Sequence, residues 1–188
     1  DPKDPTTIDV PVPDYLASLD GSVEGMRIGV PMPYFYDAEG LDPEVRDAVL
    51  AGIKVLEGAG AIVTEVTIPY ASEAKDANQV IMYSEAFAYH RPDLATRYDT
   101  YGRYTSEVIT RGALLSGADY VQAQRFRSYF KRAVAEGMAD LDVLITPTSP
   151  TPAPKRSDMS PEKQLGGPSF TGQWNLTGLP AMAIPCGF

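Results

Sequence analysis

The sequence has little cysteine and histidine and no long hydrophobic run. Cys186 is the one cysteine among 188 residues, so an internal disulfide is excluded. His90 is the one histidine, which leaves too few ligands for a zinc site within this chain. No stretch approaches the roughly 18 consecutive apolar residues that a membrane helix needs, and no basic, apolar leader opens the chain. The composition predicts a cytoplasmic protein without a metal or other cofactor and without a membrane partner.

Basic residues are also scarce, since 16 lysines and arginines face 25 acids and give a net charge of −9. The acidic excess lies in residues 1–100, whereas residues 101–188 carry slightly more bases than acids. An acidic surface disfavours non-specific binding to nucleic acid, so no direct nucleic-acid partner is expected. One local exception is a cluster of four basic residues: Arg125, Arg127, Lys131 and Arg132. Because they do not all lie on one face of the predicted helix, we interpret them as a solvent-exposed flank.

Hydrophobic patterning predicts an α/β fold. Residues 1–25 are interrupted by prolines and are expected to form an extended lead-in. Residues 26–68 follow a strand, helix, strand pattern with Asp42 as the helix N-cap, which predicts a βαβ unit with parallel strands. The region 72–140 is predicted to be helical, with helices over 72–90, 106–115 and 120–139. The region 141–188 is predicted to contain a strand at 141–146, a proline-rich loop, a pocket loop at 166–178 and a final strand at 181–185.

No residues of this chain form a complete catalytic group. Cys186 and His90 are the one possible cysteine–histidine pair, and a structural role is favoured for each. Ser169 lies in a glycine-containing loop, but that loop lacks the GxSxG pattern and only Lys163 could act as a base. The Gly-Ala-Gly segment at 58–60 follows a helix instead of preceding one, which excludes a dinucleotide loop. Reasoning from the residues alone therefore ends at an α/β domain without assigned chemistry.

Two long stretches resemble the amidase signature family. They are DVLITPTSPTPAP at residues 142–154 and SFTGQWNLTGLPAMAIPCGF at residues 169–188. They follow DPKDPTT at residues 1–7 and the block that begins at Met26, in the order and spacing of the region just after the family's signature. The resemblance covers essentially the whole chain. It implies part of the amidase-signature fold, a mixed sheet flanked by helices, in truncated form.

The resemblance implies hydrolysis of carboxamide C–N bonds by a Ser–Ser–Lys triad. In this family a neutral lysine acts through a bridging serine to deprotonate the nucleophilic serine, and backbone N–H groups hold the oxyanion. All three residues belong to the signature, which the resemblance places upstream of this chain. The chain is therefore expected to contain no catalytic residue, to depend on the missing upstream segment of the same protein, and to be inactive alone.

The resemblance also implies that this portion supplies the acyl-side wall of the substrate pocket. By position, Phe170, Thr171, Trp174 and Asn175 are expected to face a small carboxamide substrate, and Tyr83 on the mid-chain helix is a further candidate. Packing inside the protein is the alternative role for each of them, and for Trp174 above all.

Two other functions stay open. The segment 44–49 resembles the A subunit of glutamyl-tRNA amidotransferase, which implies a component of a tRNA-dependent amidotransferase. Pro168 argues against it, because that protein has a glutamine-binding aspartate there. The other possibility is a non-catalytic domain that keeps the amidase architecture. Without the upstream strands an apolar face would be exposed, so self-association of the chain is predicted.

Overall fold

Three short strands and six helices form the described part of the chain. The computed structural model describes residues 1–4, 7–19, 21–158 and 170–187. The strands in these ranges are β1 (Arg27–Pro31), β2 (Ile62–Val66) and β3 (Val143–Leu144). The helices are α1 (Met32–Phe35), α2 (Pro43–Gly58), α3 (Ala71–Arg97), α4 (Arg103–Thr110), α5 (Gly117–Gly137) and α6 (Gly172–Thr177). Of these, α1 is a kinked single turn, because Pro33 and Tyr34 have non-helical dihedral angles. Short 3₁₀ turns cover Tyr98–Thr100, Arg111–Leu114 and Arg156–Asp158.

The sheet has the order β2-β1-β3, and both of its pairings are parallel. Ile28 in the central strand lies opposite Val63 on one side and Val143 on the other. The α/β class and the βαβ unit are therefore confirmed. No antiparallel pair occurs within the described ranges, so this part of the sheet is parallel and not mixed.

The strands expected near the C-terminal end differ from the observed structure. Residues 181–185 are extended coil and not a strand, because no strand of the described chain pairs with them, and Met182 and Ile184 stay exposed. The predicted strand at 141–146 is reduced to β3. Only Val143 and Leu144 face a partner in β1, and Pro147, which lacks an N–H, follows soon after.

Helix α2 forms as its sequence predicts. The Asp42 carboxylate accepts a hydrogen bond from the N–H of Glu44 at 2.9 Å, and Pro43 occupies the first helical position. Val49 and Ile53, four residues apart, are buried in the same cluster as Ile28. The helix therefore covers one face of the central strand.

Helix α3 is longer than predicted, because it passes through Pro92 and ends at Arg97 instead of ending near His90. An internal proline costs a helix about 3 kcal/mol. Here the segment after Pro92 stays helical with Leu94 buried, and Thr96 donates its hydroxyl to the Pro92 carbonyl. Packing of the last turns thus outweighs the local preference against the helix.

Helices α4 and α5 begin earlier than predicted. The helix expected at 106–115 is α4, which ends at Thr110 and continues as a 3₁₀ turn. Helix α5 starts at Gly117 and not at Tyr120, because Ser116 and Asp119 form a capping box with bonds of 3.1 and 3.0 Å. The Ser-x-x-Asp pattern before the apolar residues was the sequence signal for this start.

Two hydrophobic clusters hold the described chain together, and Trp174 packs against both. The first cluster joins α2 to β1 and includes Ile28, Phe35 and Phe170. The second joins α3, α5 and α6 and includes Phe130 and Leu176. Because Trp174 borders each of them, α6 connects the sheet layer to the helical layer.

An ion pair joins the first residue of β1 to the chain just before β3. The Arg27 guanidinium donates to the Asp142 carboxylate at 2.8 Å, and the Arg27 backbone N–H donates to the same carboxylate at 2.8 Å. The hydrogen bond from the Arg27 side chain and that from its backbone lower the pKa of Asp142 from 3.8 to about 2.

We expect this pair to make stability depend on acidic pH. The folded pKa lies below the unfolded one, so the contribution is present above about pH 4 and is lost as the pH falls through about 2. Asp142→Asn should therefore lower the free energy of unfolding near neutral pH, with a difference from the parent that shrinks towards pH 2. Denaturant unfolding at several pH values measures this. A constant difference would contradict it, and Asp76→Asn, an exposed helical acid, is the control.

Candidate functional site

Helix α6 is fixed between two longer helices by side-chain hydrogen bonds. Gln173 is fully buried, and its amide nitrogen donates to the Ala71 carbonyl at the start of α3 at 2.9 Å. Arg127 in α5 donates from Nε to the Leu176 carbonyl at 2.8 Å. Gly178 ends the helix with a φ of +74°, a conformation that favours glycine. A helix of six residues is marginal alone, so these bonds set its position.

Four aromatic side chains next to α6 form a continuous group, here called the aromatic wall: Tyr34, Phe35, Phe170 and Trp174. Trp174 stacks on Phe35 with ring centroids 5.3 Å apart. Tyr34 meets Phe35 edge to face at 5.2 Å and Phe170 edge to face at 6.0 Å. Phe35 and Phe170 are fully buried, whereas Tyr34 and Trp174 are only partly buried. The wall therefore has two rings in its interior and two at its surface.

The aromatic wall lies at the edge of the sheet where the parallel strands end. Helix α1 follows β1 directly, and the Tyr36 hydroxyl donates to the carbonyl of Ile145, just after β3, at 2.8 Å. Burial raises the pKa of Tyr36, so this hydroxyl stays protonated and remains a donor. In open parallel sheets this edge is where ligands commonly bind.

Tyr34 adopts a backbone conformation that is rare for a bulky residue. Its φ is +73° and its ψ is −44°, close to the rare and strained γ-turn, and such a conformation costs a non-glycine residue about 1–3 kcal/mol. The Asp37 carboxylate accepts from the Tyr34 N–H at 2.6 Å, and the Tyr36 N–H donates to the Met32 carbonyl at 3.1 Å. These two bonds close the turn and hold Tyr34 in this conformation.

A groove of about 370 Å³, here called the polar groove, opens between α3, α5 and α6. Arg127 supplies a guanidinium, Glu85 a carboxylate and Asn175 a side-chain amide. The groove therefore presents donors and acceptors over an apolar base, a combination that orients a small polar ligand. Its full lining is Asn78, Ile81, Met82, Glu85, Ala86, Arg127, Asn175 and Leu176.

A second groove, of about 430 Å³, lies on the other side of Glu85, against the 3₁₀ turn after α4. Tyr120 donates its hydroxyl to Glu85 at 2.9 Å, and the Gln124 amide donates to the Tyr120 hydroxyl at 2.9 Å. Leu115 and Phe87 contribute apolar surface to it. The carboxylate of Glu85 therefore lies at the boundary of both grooves and is oriented by α5.

The structure brings together four of the five residues expected to face substrate. Phe170 is 1% exposed and lies in the wall interior, and Trp174 is at the wall surface. Thr171 directly precedes α6 and Asn175 lies within it; both are exposed, and Asn175 lines the polar groove. Tyr83 lies apart from them in α3, partly buried, with its carbonyl against Gly112. Tyr83 lines neither groove, and substrate contact stays a prediction for all five.

Arg127 and Asn78 join the candidate site only in the structure. From the sequence, Arg127 belongs to a solvated basic flank, but it is partly buried while Arg125, two residues earlier, is exposed. The helical period separates these two arginines, because Arg127 lies four residues after buried Ala123 and three before buried Phe130, whereas Arg125 lies on another face of α5.

The other nucleophile candidates do not form a catalytic pair within the described residues. His90 exchanges a hydrogen bond with the Tyr101 hydroxyl at 3.0 Å. Cys186 is exposed and lies against Gly52 in α2. Ser169 and Lys163, as well as Pro168, lie outside the residues that the structure describes. Across the described ranges no group of three or more metal-ligating side chains occurs, and no helix is both long and apolar enough to span a bilayer.

Sequence comparison gives matches along the entire chain. The family profile described as Amidase matches residues 1–188. The chain is 40% identical over 196 residues to an amidase of Pseudomonas putida, which covers 100% of this chain and 42% of that protein. It is 37% identical over 214 residues to the A subunit of glutamyl-tRNA(Gln) amidotransferase from Pseudomonas syringae pv. syringae strain B728a, covering 100% of this chain and 44% of that protein.

Structural comparison agrees with the sequence matches. The crystal structure of the A subunit of glutamyl-tRNA(Gln) amidotransferase from Thermotoga maritima superposes with a TM-score of 0.76 at 27% identity. That superposition covers 100% of this chain and 41% of the other. The chain therefore spans less than half the length of the curated relatives it matches.

Proposed function

We propose that this chain, which belongs to the amidase signature family, forms the acyl-side wall of an enzyme that hydrolyses carboxamide C–N bonds. The observation that carries the proposal is the position of α6, which places Asn175 in the polar groove and Trp174 in the aromatic wall. The Ser–Ser–Lys triad would lie in an upstream segment of the same protein. The scarcity of cysteine supports a cytoplasmic location for that protein.

In this proposal the chain binds the substrate and the upstream segment performs the chemistry. The Asn175 amide and the Arg127 guanidinium would donate hydrogen bonds to an oxygen-bearing substituent of the acyl group, and the wall would contact the apolar part of that group. Binding groups of this kind position the carbonyl for attack and chiefly affect KM. The chain's part in the reaction is therefore orientation and selection of the acyl group.

The test compares the 188-residue chain with the full-length protein that contains it. We expect release of ammonia from small carboxamides by the full-length protein and none by the chain alone. Turnover by the chain alone would contradict an upstream triad. A full-length sequence without the triad lysine or serines would instead support a non-catalytic domain.

Within the active protein, Arg127→Gln should raise the KM for a carboxamide with an oxygen-bearing acyl substituent about tenfold, because the groove loses a charged hydrogen-bond donor and α6 loses the bond to its Leu176 carbonyl. Arg125→Gln is the matched control on the same helix, since Arg125 is exposed and does not line the groove. Equal effects of the two substitutions on KM, measured by steady-state kinetics, would exclude the groove as the binding surface.

A second candidate is a component of a tRNA-dependent amidotransferase. It is favoured by the 37% identity to the A subunit of the Pseudomonas syringae enzyme over the whole chain. The full-length protein would then copurify with partner subunits and release ammonia from free glutamine. Hydrolysis of simple carboxamides without such partners, together with no glutaminase activity, would favour the first proposal.

The exposed apolar residues support a further expectation, that the isolated chain self-associates. Ile8, Val12 and Leu16 in the extended lead-in are 77%, 81% and 81% exposed, and Met182 near the other end is 85% exposed. Such surface on a small protein usually marks contact with other protein. Light scattering should show dimers or larger species. A clean monomer that binds no apolar dye would contradict this expectation.

A further inference from the structure

We propose that Tyr34 determines acyl-group specificity, and that with Trp174 it selects carboxamides with a planar aromatic acyl group. The inference rests on the proposed function, because it concerns the acyl-binding surface of that same enzyme. It assigns a ligand class to the aromatic wall and a role to a residue that the resemblance to the family did not indicate.

The four rings are arranged so that two of them form the surface of the wall. Tyr34 and Trp174 both contact Phe35, at centroid distances of 5.2 and 5.3 Å. Phe35 is fully buried, while the two rings that border it are partly exposed. The exposed surface of the wall thus consists of two aromatic rings with different orientations. Tyr34 meets Phe35 edge to face, and Trp174 stacks on the same ring. Such a surface offers edge-to-face and stacked contacts to a further planar ring.

Tyr34 is held in a backbone conformation that is unfavourable for tyrosine. A bulky residue with a φ of +73° persists only where its surroundings fix it, and the Asp37 carboxylate and the contacts to Phe35 and Phe170 do so here. Glycine would satisfy this turn with less strain. The tyrosine ring is therefore kept at a backbone position that disfavours it, at the sheet edge where ligands commonly bind.

Tyr70 shows that strain alone does not indicate specificity. It has a φ of +63°, but it lies at the start of α3, is 47% exposed and pairs with Tyr129 at 5.4 Å. Among the described residues no ring contact joins it to the aromatic wall, and it is not part of the lining of the polar groove. Tyr70→Gly therefore reproduces the backbone change of Tyr34→Gly away from the proposed site and serves as the matched control.

The kinetic test uses the full-length protein with benzamide and propionamide as substrates. Tyr34→Gly should lower kcat/KM for benzamide about tenfold more than that for propionamide, mainly through KM, because one aromatic contact is lost. Tyr34→Phe should restore most of this selectivity, since it keeps the ring. Tyr70→Gly should leave the ratio of the two kcat/KM values as in the parent. Equal losses on both substrates, or an unchanged ratio in Tyr34→Gly, would overturn the inference.

A binding test separates this inference from the proposed function. Benzamide is mixed with the same full-length variants, and the fluorescence change of Trp174 that precedes turnover is isolated by comparison with Trp174→Phe. The inference requires a dissociation constant for benzamide about tenfold higher in Tyr34→Gly, and near the parent value in Tyr34→Phe. If these dissociation constants are found but no variant hydrolyses a carboxamide, the proposed hydrolysis is refuted while the inference of an aromatic binding site stands. Turnover of carboxamides with no benzamide effect at Trp174 would refute the aromatic site alone.

Discussion

Gly112→Ala should lower the free energy of unfolding of the chain by about 3 kcal/mol, at the upper end of overpacking effects. A methyl group at Gly112 would lie 2.5 Å from the Phe87 Cβ and 2.8 Å from the Tyr83 carbonyl carbon, and it would also meet the Tyr83 carbonyl oxygen. These atoms belong to the backbone and first side-chain carbon of α3, which no rotamer change can move. The 3₁₀ turn and α3 would have to separate. Denaturant unfolding with a fixed m-value measures the loss.

The control for this prediction is Gly117→Ala, five residues further along the chain. A methyl group at Gly117 would have no heavy atom within 4 Å, and Gly117 is the first residue of α5. Alanine favours a helix over glycine by up to about 1 kcal/mol, so stability should be unchanged or slightly higher. A comparable loss of stability in both variants would show that the close approach of the 3₁₀ turn at Gly112 to α3 is not the cause of the destabilisation.

The second large effect is expected from Phe35→Ala, which should lower the free energy of unfolding by about 3–5 kcal/mol. Phe35 is fully buried and contacts the rings of Tyr34, Phe170 and Trp174. Its removal would leave a cavity behind both exposed rings of the aromatic wall. Because Trp174 stacks on Phe35, its fluorescence emission in the folded state should also change, as water reaches the indole.

Phe130→Ala is the matched control for Phe35→Ala. Phe130 is equally buried, but it lies in the second cluster and stacks on Phe126 at 6.0 Å. We expect a similar loss of stability with a smaller change in the Trp174 emission of the folded state, because Trp174 borders the cluster of Phe130 but stacks directly on Phe35. If both variants shift the Trp174 emission equally, the aromatic wall does not pack independently of the second cluster. The emission would then report a general loss of packing in the whole domain.

The local elements with strong end signals were predictable from the sequence. The N-cap at Asp42 with Pro43 after it gave α2 and hence the βαβ unit, because these residues act on their own backbone. The capping box at Ser116 could have given the start of α5 in the same way. By contrast, the predicted helix over 72–90 ends too early, because α3 continues through Pro92 to Arg97 with Leu94 buried.

The candidate site was predictable in part. The resemblance to the amidase signature family drew attention to Phe170, Trp174 and Asn175, and the structure places these residues on or next to α6. The resemblance could not indicate Tyr34 or Arg127. Both are far from α6 in the sequence, and only the tertiary fold brings them next to it. Residues that are adjacent in the sequence also differ in burial, since Phe170 is buried and Thr171 is exposed.

By itself the sequence determined the α/β class, the parallel βαβ unit and the family, because helix caps, hydrophobic periods and contiguous motifs act over a few residues. Only the tertiary structure decided which residues share a surface. The aromatic wall combines Tyr34 with Phe170, and the polar groove combines Asn78 with Asn175, across more than 90 residues in each case. Contacts of this kind depend on how α6 packs between α3 and α5, and no local pattern of residues encodes that packing.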